Sequence, residues 1–233
     1  MPQQLEIVPV TTAEQAEHMA TFFKEVWGSD EDVVPFDLAL ALIHVGAYAH
    51  LAFSDEQLVA ASFGVRGVLG DEQILHSHVT ASILPGAGFD LKLHQRDWAK
   101  AAGLKAITWT FDPLVRRNCV FNFAKLGAVA IEYLPNFYGQ MKDEINRGDE
   151  SDRLLAYWPT SGSAVANDAV STNSAGTDLV ELPEDIEKLR KDDLPAALQW
   201  RFKVREQLES KLQGGYQVSG MTADRKALIL TKR

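Results

Sequence analysis

The stretch from Gln73 to Tyr133 limits the folds open to this chain more than any other, because its hydrophobic pattern alternates between strand and helix within one uninterrupted run. A β-branched run ending at Leu84 meets Pro85-Gly86-Ala87-Gly88, and an amphipathic helix starts at once, so helical N–H groups are aimed at whatever lies beyond the strand end. Lys105 to Phe111 reads as a second short strand rich in β-formers. Arg117 to Leu126 has helical spacing and stops at Gly127, and Val129 to Tyr133 reads as a further strand. Two parallel strands joined by one helix form a crossover unit, expected to be right-handed.

The segments on either side are read as additions to this unit. Leu5 to Val10 alternates as a strand, Thr12 and Gln15 have capping-box spacing for a helix reaching about Trp27, and Asp37 to Val45 reads as a short helix. Ala47 to Phe53 and Leu58 to Val65 are strands separated by the polar turn Ser54 to Gln57, and Gln73 to Leu84 is a third antiparallel strand after a loop at Gly67 to Asp71. Beyond the polar loop Gly139 to Ser151, Arg153 to Trp158 reads as another strand. Ser161 to Thr177 is small and polar with no apolar period, which predicts a flexible linker. The tail reads as a strand at Leu179 to Leu182, a helical stretch from Glu184 to Leu212 that Pro195 breaks or restarts, and strands at Tyr216 to Thr222 and Lys226 to Thr231.

The expected class is therefore α+β, a mixed sheet flanked by helices with a C-terminal helix and β-hairpin. Residues 1–160 form the expected main domain, 161–177 the linker, and 178–233 an extension too small to hold a core alone and expected to dock on the main domain.

Composition narrows the partners. A formal net charge of -9 argues against a nucleic-acid backbone or an anionic membrane, since either needs a basic footprint. Cys119 is the single cysteine, which rules out an internal disulfide and fits a reducing compartment. The opening MPQQLEIVPVTT has no basic region followed by an apolar run, so no secretory signal is expected there and the expected location is cytoplasmic. Val33 to Phe53 is the most apolar window, but Asp37, His44, Gly46 and His50 interrupt it, so no span is expected.

The element order, with HSHVT, LKLHQRDWA, ITWTFDPL, RRNCVFN, KLGA, NFYG and SDRL, resembles the GNAT superfamily of acetyl-CoA-dependent N-acetyltransferases, and within it a branch of predicted acetyltransferases. The resemblance implies acetyl-CoA as co-substrate, no metal, and a small-molecule amine as acceptor. It implies that the strand Gln73 to Leu84 offers backbone groups at Val79, Ala81 and Ile83 to the pantetheine arm. It also implies that Gly86, Ala87, Gly88 and Phe89 hold the pyrophosphate and that Asn118 approaches the CoA arm. In the family, the phosphate turn opens on Arg or Gln, which this shorter turn lacks. A general-acid tyrosine often stands two residues before Lys-Leu-Gly, where this chain has Phe123. Those departures support an alternative reading, a GNAT-like module that binds a ligand or partner without turnover. A dimer whose tail completes or blocks the partner's cleft is compatible with either.

Amine acetylation needs a proton acceptor, and His76 and His78, two apart on a strand, share one face and titrate in the right range. Two readings stay open for them: base, or hydrogen-bonded wall of the cleft. A metal site started by His-x-His lacks a third ligand at telling spacing. Thr108, Thr110 and Asp112 lie at or past the end of the second parallel strand. Cys119, Tyr133 and Tyr138 match the missing acid by type alone. Lys92, Arg96 and Lys100 are expected as solvated charges, and Asp149, Asp152 and Arg153 as a charged loop.

Overall fold

The structure is a computed structural model that describes residues 5–28, 32–139, 149–163 and 177–233. Most of the expected linker, 164–176, and most of the expected loop after Gly139, 140–148, lie outside the described residues. By its internal contacts the chain divides into Met1–Thr108 and Trp109–Arg233.

The first unit opens with β1 (Glu6–Pro9) and α1 (Ala13–Trp27). The helix starts where expected: Thr12 accepts from the Gln15 amide while the Gln15 side chain returns to the Thr12 amide, completing a capping box, and Gly28 closes the helix in the left-handed region at φ 58°. Next come α2 (Phe36–His44), β2 (Tyr48–Ser54), β3 (Gln57–Leu69), β4 (Glu72–Ser82), α3 (Ala87–Ala101) and the start of β5 (Ala106–Phe111). Strands β1 to β4 pair antiparallel in sequence order, and β5 joins β4 in parallel from Ile74↔Ala106 to His76↔Thr108.

The β2–β3 turn is tighter than the expected four-residue turn, because Asp55 and Glu56 both take positive φ (47° and 66°). The expected loop at Gly67 to Asp71 is corrected too. Strand β3 runs on to Leu69 because β4 gives it partners as far as Leu69↔Glu72, and only Gly70 and Asp71 turn.

One face of this sheet carries Leu51, Ala61, Phe63, Val79 and Ala81 into a core with Met19, Phe22 and Phe23 of α1 and Ala39 of α2. The other packs Ala52, Val59 and Ala60 under Ala87 and Leu91 of α3.

The second unit holds the rest of β5, the short helix α4 (Arg116–Cys119), a π-helical turn (Val120–Lys125), β6 (Val129–Leu134), β7 (Arg153–Pro159), β8 (Asp178–Glu181), α5 (Ile186–Asp192), α6 (Leu194–Gln213), β9 (Tyr216–Met221) and β10 (Ala227–Lys232). The expected α-helix at Arg117 to Leu126 is thus an α-turn followed by a wider one, closed by Leu126 N–H to Phe121 O at 3.0 Å. Pro195 restarts the helix instead of kinking it, since it sits in the first turn of α6, where its missing N–H costs nothing.

The hairpin β9–β10 joins β6 through Ala130↔Val218, and β8 borders β10. Helix α6 packs on β6, β8 and β9. Beneath it lies a buried ion quartet: Arg190 donates to Asp149 Oδ2 (2.9 Å) and Asp112 Oδ2 (2.6 Å), and Arg201 to Asp149 Oδ2 (2.8 Å) and Asp112 Oδ1 (3.2 Å). Asp149, Asp152 and Arg153 are all buried, not the solvated loop charges expected of them.

Candidate functional site

In the first unit the site is built on a bulge in β4. Register passes from Phe63↔Val79 to Gly64↔Ser77, so His78 is an extra residue on β4. Gly64 is required opposite it: a Cβ there would meet the His76 carbonyl oxygen at 3.0 Å and Ser77 Cα at 3.3 Å. The bulge sets the directions of the side chains. Ser77, Thr80 and Ser82 turn toward α3, and Val79 and Ala81 enter the core with α1 and α2. His78 turns to that second side, its Nε2 lying 3.4 Å from the Val33 carbonyl oxygen in the segment before α2, and alternation from Ser77 puts His76 on the same side.

The two histidines differ in setting. His78 is exposed, while His76 is half-buried with Nδ1 3.1 Å from Thr108 Oγ1. Burial, then the charges of His78 and Lys92, lower the His76 pKa from 6.5, so its imidazole is neutral at pH 7 and able to accept a proton.

Beyond β4 the chain closes a tight turn. Ser82 Oγ donates to Leu84 O at 2.8 Å, and the Ile83 amide is held by Val59 O of β3 at 2.9 Å. Gly86 caps α3 at φ 93°, a conformation open to glycine, and a Cβ on Gly88 would press on Ser82 Cβ at 3.4 Å. In the first turn the Ala87 amide donates to Leu84 O and the Phe89 amide to Gly86 O. Asp90 is exposed in that turn. Lys92 and Arg96, expected in solvent, are buried against the sheet, and only Lys100 of the three is exposed.

A cluster on the α3 side of β2 had no signal in the sequence, because its members are far apart in the chain. The Tyr48 hydroxyl pairs with His94 Nδ1 at 3.0 Å, the Tyr48 and His50 rings stack at 4.3 Å, and His50 and His94 lie 4.6 Å apart. His50 Nδ1 is buried without a hydrogen-bond partner among the described residues. Burial first and His94 second depress the His50 pKa to about 4.

Because that folded value lies below the unfolded 6.5, stability is full above pH 6.5 and is lost as pH falls toward 4. Allowing for water near the ring, about 2 kcal/mol should disappear over this window. Urea midpoints of the wild type and His50→Asn, read between pH 7 and 4, should converge toward acid, and parallel lines would refute the assignment.

The second unit holds the remaining candidates. Asn118 is half-buried in α4. Phe123 is buried edge-on to Phe111 at 5.7 Å, and Asn122 accepts from Trp109 Nε1 at 3.2 Å. Cys119 is buried, with Sγ on Pro113 O at 3.2 Å, and burial pushes its pKa up. Burial, then Asp152, push Tyr133 upward too, and its hydroxyl donates to Asp152 Oδ2 at 2.5 Å. Tyr138 is exposed, with its hydroxyl 2.9 Å from Thr110 Oγ1. Among the described residues no cluster of three or more His, Cys, Asp or Glu is placed to hold a metal, and no helix is long and apolar enough to cross a membrane.

No family model and no curated protein matches the chain. Solved structures do. A GNAT-family acetyltransferase of Streptococcus pneumoniae aligns at TM-score 0.52 and 14% identity over 67% of this chain and 99% of its own. The yncA protein of Salmonella typhimurium, solved with its cofactor acetyl-CoA, aligns at TM-score 0.53 and 14% identity over 71% of this chain and 99% of its own. Arabidopsis thaliana Naa50, in complex with the bisubstrate analogue CoA-Ac-MVNAL, aligns at TM-score 0.52 and 14% identity over 66% of this chain and 97% of its own. With the bulged β4, the glycine turn into α3 and the parallel β4–β5 pair already evident, these alignments establish that the chain has the GNAT acetyltransferase fold.

Proposed function

We propose that this chain is an acyltransferase that moves an acetyl group from acetyl-CoA to the amine of a small molecule by direct transfer, in the cytoplasm. The observation that carries the reading is the bulged β4 running through a glycine turn into α3. Past His76↔Thr108, where the parallel pairing with β5 ends, β4 runs on toward the helix N-terminus; such a strand edge suits an extended amide-bearing arm and a helix N-terminus suits an anion. Solved structures of the same fold with acetyl-CoA and with a CoA bisubstrate analogue support the choice of donor.

In this reading the backbone at Val79, Ala81 and Ile83 follows the pantetheine arm and the turn Gly86 to Phe89 meets the pyrophosphate, the Ala87 and Phe89 amides already donating within that turn. His76, neutral at pH 7, or His78 takes the proton from the acceptor ammonium. The freed amine attacks the thioester carbonyl, the tetrahedral adduct collapses with cleavage of the C–S bond, and the second proton leaves the nitrogen as one is delivered to the CoA thiolate, giving the amide and the CoA thiol. A binding module without turnover is the second reading, and buried Phe123, which has no proton to give, is the observation that favours it.

A calorimetric and thermal-shift titration tests the proposal. Acetyl-CoA at about 100 times its Kd should add about 2.7 kcal/mol of stability. With an amine that turns over, His76→Gln and His78→Gln are to be compared; the base variant should keep acetyl-CoA binding and lose about 10²–10⁴-fold in kcat. The absence of both shift and heat with millimolar acetyl-CoA and with CoA would refute the proposal. Binding with no consumption across an amine panel would select the second reading.

A further inference from the structure

Lys92 reaches from α3 into the space beneath β4 and is 5% exposed. Its Nζ donates to Ser77 Oγ at 2.8 Å and to Gln95 Oε1 at 3.2 Å. Gln95 Nε2 donates to Ser62 Oγ at 3.1 Å, and Ser62 Oγ meets the Val79 carbonyl oxygen at 3.2 Å and Thr80 Oγ1 at 2.8 Å. The chain of contacts starts on the residue just before the extra residue His78 and ends on the two just after it. A bulge interrupts the ladder that would otherwise fix the backbone. Here helix side chains hold both flanks instead, across two strands.

An ammonium is a costly group to bury merely to fill space, since an apolar chain of the same length would do that with no desolvation. The charge also lies behind a candidate base: Lys92 is among the groups that oppose protonation of His76. Burial brings Lys92 itself down to about 7. It is therefore charged over the range where His76 would take up a proton.

We infer that Lys92 is a positioning residue: through Ser77, Gln95 and Ser62 it grips the β4 bulge that turns out His78, and it sets a positive charge behind His76. The inference rests on the acyl-transfer reading for what His76 does, and on contacts within the first unit for where Lys92 acts. The groups facing His76 are His78 on its own strand, Thr108 Oγ1 on β5 and Lys92 from α3.

Histidine-ring and amide chemical shifts of the full, ligand-free chain, followed by NMR against pH, give the test. In the wild type the Ser77 to Thr80 amides should show a step near pH 7 as Lys92 loses its proton. In Lys92→Met that step should vanish and the His76 midpoint should move up by about half a pH unit or more. Lys92→Arg, which keeps the charge, should return the midpoint toward the wild-type value. An unchanged His76 midpoint in Lys92→Met would overturn the inference. So would the absence of the amide step in the wild type, a measurement that stands even if a variant does not fold. Failure to bind acetyl-CoA would sink the acyl-transfer reading but leave these titrations as they are, so the two failures are distinct.

Discussion

Replacing Arg201 with methionine is expected to remove about 3–5 kcal/mol of stability from the second unit, the usual cost of breaking a buried ion pair from one side. Arg201 is 1% exposed and its guanidinium serves Asp112 and Asp149 at once. Methionine keeps much of the stem and deletes the charge. Of the two guanidiniums, Arg190 then remains on both buried carboxylates.

Burial by itself would raise the Asp112 pKa, but Arg201 and then Arg190 more than reverse it, so its carboxyl titrates below the usual 3.8. A depressed carboxylate contributes stability that is present above the unfolded pKa and lost as pH falls through the folded one. The variant should therefore show a weaker fall in stability below pH 3.8 than the wild type, as well as a lower urea midpoint at pH 7. Arg201→Met combined with Asp112→Asn should be less than additive, because the second change removes a charge the first left short of partners. A loss under about 1 kcal/mol at pH 7 would mean that the quartet is no stronger than a surface pair.

Lys92→Met should give the other large effect, with the opposite sign at neutral pH. Burial lowers Lys92 from 10.5 to about 7, so the folded chain gives up this proton well before the unfolded chain does. Between those values the unfolded state binds more protons, and wild-type stability rises with pH, by up to about 4–5 kcal/mol over the window. The contribution is full above 10.5 and is lost as pH falls through 7. Methionine has nothing to titrate. The stability of the wild type minus that of Lys92→Met should therefore climb steadily from pH 7 to 10.5, and taking the difference cancels groups common to both proteins. At pH 7 the variant should equal or exceed the wild type, because the desolvated ammonium is gone. A flat difference across the alkaline range would show that Lys92 is not desolvated in solution.

Much of the fold was legible in the sequence wherever local patterning and tertiary context agreed. The Thr12–Gln15 box, the strand–glycine–helix order around Gly86, and the restart at Pro195 each follow from short-range chemistry that the surroundings leave alone. The bulge at His78 was not legible, since a bulge is a mismatch between two strands and exists only once β4 is paired with β3. Buried charge was misread for a related reason. Asp149, expected as a loop charge, enters a buried core with Asp112, Arg190 and Arg201 only when α5 and α6 bring two guanidiniums to carboxylates 41 to 89 positions away along the chain. Lys92 lies three residues from Gln95, which hinted at a shared helix face, but nothing local showed that this face pointed inward.

The π-helical turn at Val120–Lys125 has a consequence for transplanting a proton donor into this chain. A π-turn holds one residue more than an α-turn, and one residue on a helix is worth about 100° of rotation. Positions counted backward from Gly127 and forward from Arg116 therefore fall out of step by one across this turn, and Phe123 is the outcome of only one of the two counts. A hydroxyl added at Phe123 would sit on a buried ring packed against Phe111, not on an open surface. Turning that face outward would take the excision of a residue from the wide turn, a change of length where a change of letter would be the natural first attempt.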